Sequence, residues 1–576
     1  RPVTSSRRLP ARSMTESIRA PSADAMSSAT EKRRVPDMRS PTHLGFCLVL
    51  LPVAALANPQ LAPIGLSEVR AQWFDNESLD FYGPDAQDHF AAALASGDFN
   101  GDGAADLATG IPDDEDIDSG AENCGRVVVR WGVPGRGLAA GHATTVLHQA
   151  LDGSPDPPAT YDRFGAALAA GDFNGDGYDD LAVGVPNIAQ STNVYGAVQI
   201  YYGWSTGFQT EHSEYITEEI AGGLGNTSYG AEFGSALAVG NFDHDAYDDL
   251  AIGAWFGRDV LFGAPKRSGA VYVAHGRDFG LLPWLGYRIS QDEVDIQEVA
   301  EAGDQFGRAI AAGDFNPDSY DDLAIGVPGE NNHGIVQIIF GSQWGLLFAE
   351  NILWAPGAVG QVPEDGDRFG FSFAVGDFDG DLYEDLAIGD PSEDLGTLNE
   401  VPDAGLIVVA FGSNSGFDLA RTIPFHQGTL YPEDPSANRV GERFGWAMAT
   451  GDFDSDGLSD LAVGHPNDLD TAVGLNTGAV SVLMGAFGGQ LGSRHRLLHP
   501  GWEGLPGEIQ GGQSFGGALA AGDFDANGYA DLAIGDAGYD QPGAIGDTGG
   551  ESVLYGALFA DGFGVESTDR WSAVLP

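Results

Sequence analysis

Short apolar runs bounded by glycine recur along the chain, rich in the β-branched and aromatic residues that favour strands. Leu181-Ala-Val-Gly184, Val198-Gln-Ile-Tyr201 and Val271-Tyr-Val-Ala274 are examples. No segment sustains a 3.6-residue apolar period between helix caps, so the chain is predicted to be all-β. The runs fall into units with rigid internal spacing. A Phe stands eight residues before each of seven acidic loops: Phe90, Phe164, Phe233, Phe306, Phe369, Phe444 and Phe515. A Gly stands twelve residues after each loop start: Gly110, Gly184, Gly253, Gly326, Gly389, Gly464 and Gly535. A third block has two glycines seven apart around an apolar run, as in Gly196 to Gly203, Gly269 to Gly276 and Gly478 to Gly485. All length variation falls between these blocks, which marks the blocks as packed strands and the rest as loops.

Each unit is predicted to hold four strands. Strand one runs through the Phe-Gly segment, for example 164–173; strand two is 180–184. Strand three is the glycine-flanked block, and strand four a weaker stretch such as 350–354. The mean repeat of about 71 residues is too long for solenoid helices or for the shorter propeller blades. Seven four-stranded units predict a seven-bladed β-propeller over 90–576, preceded by a lead-in strand and linker at 58–89. Gly65-Leu66 and Trp73 match the spacing of Gly345-Leu346 and Trp354 to within one residue. The segment 65–74 is therefore predicted to close the ring from the N-terminal side, in competition with 568–575 for the same slot.

The acidic loops read Asp-x-Asp/Asn-x-Asp/Asn-x-x-x-Asp. The first two carry Asp98, Asn100, Asp102 and Asp106, then Asp172, Asn174, Asp176 and Asp180, with the Tyr178 carbonyl at the seventh position. The third has Asn241, Asp243, Asp245 and Asp249; the fourth has Asp314, Asn316, Asp318 and Asp322. The fifth has Asp377, Asp379, Asp381 and Asp385, and the sixth Asp452, Asp454, Asp456 and Asp460. Asp523, Asp525, Asn527 and Asp531 make up the seventh. Oxygen ligands on alternate residues of a tight loop suit Ca²⁺, which takes six to eight hard oxygens. Gly177 at position six permits the sharp turn. Twenty-three of these 28 places are carboxylates, which would repel one another by several kcal/mol without a cation. Up to seven Ca²⁺ are expected. The third loop, with Asn241 first and Ala246 at position six, is expected to bind most weakly.

Phe164-Gly165, Asp172-Phe-Asn-Gly-Asp-Gly and Leu181-Ala-Val-Gly-Val-Pro186 resemble the FG-GAP repeat of integrin alpha subunits and many bacterial secreted proteins. That resemblance implies a calcium-binding seven-bladed propeller closed by an N-terminal strand. It implies an extracellular protein or glycan ligand only in general terms.

Acidity removes other classes. Lys plus Arg total 27 and Asp plus Glu 84, a net charge of -57, which excludes a cationic nucleic-acid surface. Residues 1–37 lack an apolar period and are expected to lie outside the folded protein. Residues 38–57 read as a secretory signal: Arg39, an apolar run from Leu44, then Ala55-Leu56-Ala57. A secreted or cell-surface, monomeric protein with no later membrane span follows. Cys124 would then be the only thiol, so no intrachain disulfide is expected.

Three functions compete: adhesion or macromolecular recognition, a carbohydrate-binding lectin, and a propeller-based hydrolase or polysaccharide lyase. The first is preferred and no catalytic set is expected. Gly512-Gln-Ser514-Phe-Gly516 matches a nucleophile elbow formally but should lead into a strand, where an elbow needs a helix. The acidic stretch from Asp113 to Asp118 is expected opposite the calcium loops, as a solvated loop or a cation-assisted ligand site. Arg163, Arg368 and Arg443 are expected to pair with acids between blades, and Trp204, Trp255 and Trp284 could stack on sugars.

Overall fold

Each Asp-Leu-Ala phrase becomes the second strand of a four-stranded antiparallel sheet, buried at every position. In this computed structural model residues 71–75 and 88–556 are described, apart from 116–120, 139–143, 150–157, 188, 191–192, 195, 211–212, 219–230, 260–265, 397–400, 415, 434–436, 471–473, 501–504, 506–508 and 540–547. The expected leader 1–37, the signal 38–57, most of 58–89 and the segment 568–575 lie outside them.

Seven such sheets form a propeller, and consecutive strands pair within each. Blade two is Leu168–Gly171, Asp180–Val185, Ala197–Tyr201 and Glu214–Thr217. Blade five is Ser372–Gly376, Asp385–Asp390, Leu406–Phe411 and Asp418–Phe425. Register is the same in all seven: the Gly just before each loop pairs with the Asp at its ninth position, as in Gly171↔Asp180 and Gly376↔Asp385. The seven acidic loops are thus equal in length and lie at one end of their blades. The loops joining strands two and three lie at the other end, because the strands alternate direction.

Strand one is shorter than the sequence pattern suggests. In blade two it begins at Leu168, after Phe164, and only blade seven starts its strand at the Phe. Phe-Gly is instead a joint between blades. Phe233 bridges in parallel to Gly196 of the blade before, and the same pairing joins Phe306 to Gly269 and Phe444 to Gly405. All seven Phe rings are buried. The physical reason is the next residue: Gly165, Gly234 and Gly307 take φ of 87°, 86° and 79°, which turns the chain out of the joint before the strand starts. Repeat one manages this with Ala91 at φ 63°.

The glycine twelve residues into each repeat is required by contact with the following blade. A Cβ at Gly184 would lie 2.0 Å from the Gly234 carbonyl oxygen, and one at Gly535 would lie 2.3 Å from that of Ala91, across the ring closure. The apolar core accordingly lies between neighbouring blades. One cluster joins Phe173, Val198 and Ile200 of blade two to Phe233, Leu250 and Ile252 of blade three.

Blade seven is Phe515–Gly522, Asp531–Asp536 and Gly550–Leu554, and its outer strand comes from the front of the chain. Ala71–Asp75 pairs antiparallel with Gly550–Leu554, Ala71 opposite Leu554 and Asp75 opposite Gly550. The expected N-terminal closure is therefore what the structure contains. Among the described residues, no helix is long and apolar enough to cross a membrane.

Candidate metal centres

The seven loops share one hydrogen-bond scheme, which follows from their spacing. The Asp at position nine opens strand two and is fully buried. One of its oxygens accepts the N–H of the Phe at position two, at 2.9–3.2 Å. The other accepts the N–H of the glycine ending strand three, from Gly132 to Gly556, at 2.6–2.9 Å. Asp106, Asp180, Asp249, Asp322, Asp385, Asp460 and Asp531 thus pin the loop to the third strand. Burial pushes their carboxyls up, to about 8 in Asp180 and Asp385 and about 7 in Asp460. A neighbouring cation would offset that cost.

Position one closes the turn. Asp172 accepts the N–H groups of Gly175, Asp176 and Gly177, and Asp377 those of Gly380, Asp381 and Leu382. Asp98, Asp314, Asp452 and Asp523 bond their own turns in the same way. Position five accepts the N–H of position seven, as Asp176 does from Tyr178, with Asp102, Asp245, Asp318, Asp381, Asp456 and Asn527 alike. Position six takes a positive φ in Gly177, Ser319 and even Leu382, but not in Ala246.

One carboxylate oxygen from each of positions one, three and nine converges within 4.8 Å in the fifth, sixth and seventh loops: Asp377, Asp379 and Asp385; Asp452, Asp454 and Asp460; Asp523, Asp525 and Asp531. The first, second and fourth loops put Asn100, Asn174 and Asn316 at position three, where Asn100 and Asn316 donate to Asp106 and Asp322. Asp314 Oδ1, Asp379 Oδ1 and Asp454 Oδ1 are buried without a hydrogen-bond partner among the described residues. An all-oxygen donor set with orphaned buried carboxylate oxygens fits a hard divalent cation.

The third loop differs. Asn241 uses its amide oxygen for the Asp245 N–H and turns its nitrogen onto the Asp245 carbonyl. His275 Nδ1 stands 3.1 Å from Asp249, and Arg277 lies 3.6 Å from Asp243 and 2.6 Å from Asp245. Burial works against the His275 charge, but Asp249 and Asp243 outweigh it and raise its pKa. Both cations come from the end of strand three and were not foreseen from loop spacing. Their signal is Arg277 directly after Gly276, where repeats two, four and five have Trp204, Ser342 and Ser413. Arg421 likewise bonds Asp379, and Arg494 lies 2.9 Å from Asp454. Charge is therefore levelled. Loops five and six hold four carboxylates less one arginine, the first, second, fourth and seventh hold three, and the third holds three less Arg277.

Position eight was also missed. Asp179, Asp248, Asp321 and Glu384 each accept the N–H of the first residue of the preceding loop, at 2.7–2.9 Å. In all seven blades the N–H of position eight donates to that same residue's carbonyl, ending with Ala105 to Asp523 across the closure. The repeated Asp-Asp-Leu was the available sign.

At the other end, the described acids Asp113 and Asp114 of the first acidic stretch are taken up by cationic side chains. Asp113 pairs with Arg163 at 3.0 Å and His89 at 2.8 Å, and Asp114 is bonded by Arg126. Asp116 and Asp118 lie outside the described residues. Arg163 thus pairs between blades as expected, whereas Arg443 stacks on Trp446. Ser514 leads into the strand Phe515–Gly522, so the helix an elbow needs is missing.

The FG-GAP repeat family matches at residues 90–128, 164–201, 233–273, 306–339 and 444–483. Integrin alpha-PS2 of Drosophila melanogaster is 30% identical over 239 residues, 41% of this chain and 15% of that protein. The chain is an integrin-alpha-like FG-GAP propeller. The family match falls on blades one to four and six, and the structure adds blades five and seven of the same build. Integrin alpha-8 of Gallus gallus is 33% identical over 242 residues, 40% of this chain and 20% of that protein. Phosphatidylinositol-glycan-specific phospholipase D of Bos taurus is 26% identical over 407 residues, 58% of this chain and 45% of that protein. The FG-GAP propeller thus spans under half the length of each of these relatives.

Proposed function

We propose that this FG-GAP propeller is an extracellular or cell-surface protein that takes Ca²⁺ in six of its seven loops and acts in adhesion or macromolecular recognition. The convergence of carboxylates at positions one, three and nine, with buried oxygens on Asp379 and Asp454 left unbonded, carries the calcium reading. Bound Ca²⁺ would neutralise these groups and fix six of the seven equal turns around the ring. Adhesion is supported by the integrin alpha relatives. The experiment is binding to an array of matrix proteins and glycans, with calcium and with EDTA. Retention on a matrix protein that EDTA abolishes is expected; no binding, or binding indifferent to EDTA, overturns the reading.

Native mass spectrometry tests the loops one at a time. Asp377→Ala and Asp452→Ala are each expected to lose one ion from the wild-type count. Asn241→Asp combined with Arg277→Ser is expected to gain one, since it restores the first ligand and removes one of the two cations at that loop. An unchanged count in all three contradicts the assignment.

A lectin reading has one observation in its favour. Trp344 is 81% exposed, and the half-exposed Trp204 lies against Tyr178, both in turns at the cation-loop end. Loss of glycan binding in Trp344→Ala, with an unchanged melt, would select it. The enzyme reading draws support only from the phospholipase relative.

A further inference from the structure

Strand two of blade five ends in a second acidic centre. Asp390, its last residue, lies roughly 17 Å from Asp385 at about 3.3 Å per residue, so it sits at the end opposite the calcium loop. One carboxylate oxygen of Asp390, one of Glu393 in the following turn and one of Asp367 in the segment entering the blade lie within 4.8 Å of one another. All three residues are buried. Two have structural ties: Asp367 accepts the Glu364 N–H at 2.7 Å, and Asp390 those of Arg368 at 2.8 Å and Ser392 at 3.3 Å. Glu393 is different. Its side chain is aimed into the other two and only 8% exposed, yet it has no hydrogen-bond partner among the described residues. No Lys, Arg or His nitrogen lies within 4.0 Å of the three carboxylates among those residues.

Other blades show what this position needs. Asp114 in blade one is held by Arg126, and Asp468 in blade six by Arg439 at 2.5 Å. Glu330 in blade four takes the Gln291 amide at 2.7 Å, and Asp536 in blade seven the Gln513 amide at 2.9 Å. Each acid there has a counter-group from the protein. Blade five alone among these puts three carboxylates together without a bonded one; Arg368 and His333 act on Asp390 and Asp367 only from beyond 4.0 Å. Close carboxylates in a low-dielectric site repel strongly, and buried charges are retained where they are paired or bind a metal.

We propose that Asp367, Asp390 and Glu393 form a cation site for a hard divalent ion, Ca²⁺ first, on the end of the propeller away from the seven loops. Glu393, at the most exposed edge of the three, is the entry side. The assignment does not depend on occupancy of the loops. Its test uses Asp390→Asn, which keeps an acceptor for both backbone N–H groups, and the pair Asp390→Asn with Glu393→Gln. Native mass spectrometry in calcium is expected to count one ion fewer in the pair than in wild type. That loss should add to the separate loss in Asp452→Ala, which separates this site from the loops. The melt should also split: higher than wild type in EDTA, where repulsion is relieved, and lower in calcium, where a ligand set is lost. An equal ion count, with the melt raised in both media, means that the acids share protons and overturns the proposal. Should the pair not fold, Asp390→Asn alone gives the same two readouts.

Discussion

Removing calcium is expected to lower the melting temperature of this FG-GAP propeller by roughly 15 °C. A ligand that binds only the native state adds about 2.7 kcal/mol per site at a hundredfold excess over Kd, so six loops contribute about 16 kcal/mol. Unfolding entropy near 2.1 cal/mol/K per residue, over about 490 residues, converts that to about 1 °C per kcal/mol. The direction follows from the loops themselves. In each, a fully buried Asp joins strand one's turn to the end of strand three, and burial disfavours its charge. In loops five to seven the carboxylates of positions one and three crowd it within 4.8 Å. Without an ion the choice lies between protonation and repulsion, and both loosen the turn. A scanning melt in calcium, in EDTA and in EDTA with calcium restored measures the effect. Equal melts in all three would remove calcium from the account of this fold.

The propeller was legible in the chain because its rules are local. Phe eight residues before each loop, Gly twelve after, and the glycine-flanked block all lie inside one hairpin or its immediate neighbour, where sequence spacing is spatial spacing. Their meaning was less legible. Phe-Gly looked like strand because it is apolar and extended, yet its glycine turns the chain at positive φ and the Phe docks on the blade before. The ligand positions of each loop could be read for the same local reason. The groups that modify them could not. Arg277, Arg421 and Arg494 arrive from strands three and four, 32 to 42 residues from the acids they meet. Asp179 and Asp248 act on the preceding loop, 81 and 76 residues away. Asp367, Asp390 and Glu393 belong to two segments with no common spacing, and only the fold brings them together. The arginines that meet loops five and six come from their own blades but from beyond stretches of variable length, so the spacing inside the loops does not show them.

Deleting 58–75 is expected to lower the calcium-loaded melt by at least about 5 °C, and deleting 566–576 to leave it within about 2 °C. Strand Ala71–Asp75 covers the outer edge of Gly550–Leu554, whose five residues are all buried. Trp73 packs edge-on against Tyr539 at 4.8 Å and fills the space beside Gly550, where even a Cβ would come within 2.3 Å of its ring. Phe74 lies under the Arg130 guanidinium at 4.2 Å and touches clusters from blades seven and one. Gln72 accepts from the Tyr555 hydroxyl, which also receives the Leu138 N–H of blade one. Half-burying two large aromatics is worth about 3 kcal/mol, a buried hydrogen bond about 1 kcal/mol, and an uncovered buried strand edge at least as much again. At about 1 °C per kcal/mol the sum gives the expected shift. The ring adds a further reason. Blades one and seven otherwise meet through the Ala91–Gly535 contact, the Phe90–Gly549 bridge, the Ala105–Asp523 backbone bond and the buried Arg130–Glu551 pair. Arg130 is sandwiched between Glu551 and the Phe74 ring, so losing Phe74 lets water reach the one buried ion pair at the seam among the described residues. A pair that loses its cover loses its low-dielectric strength, and the seam should then open before the blades melt. Hydrogen exchange in the 58–75 deletion is therefore expected to rise first at 126–130 and 550–554. If instead 566–576 carries the drop in melting temperature and 58–75 does not, the C-terminal segment is the clasp.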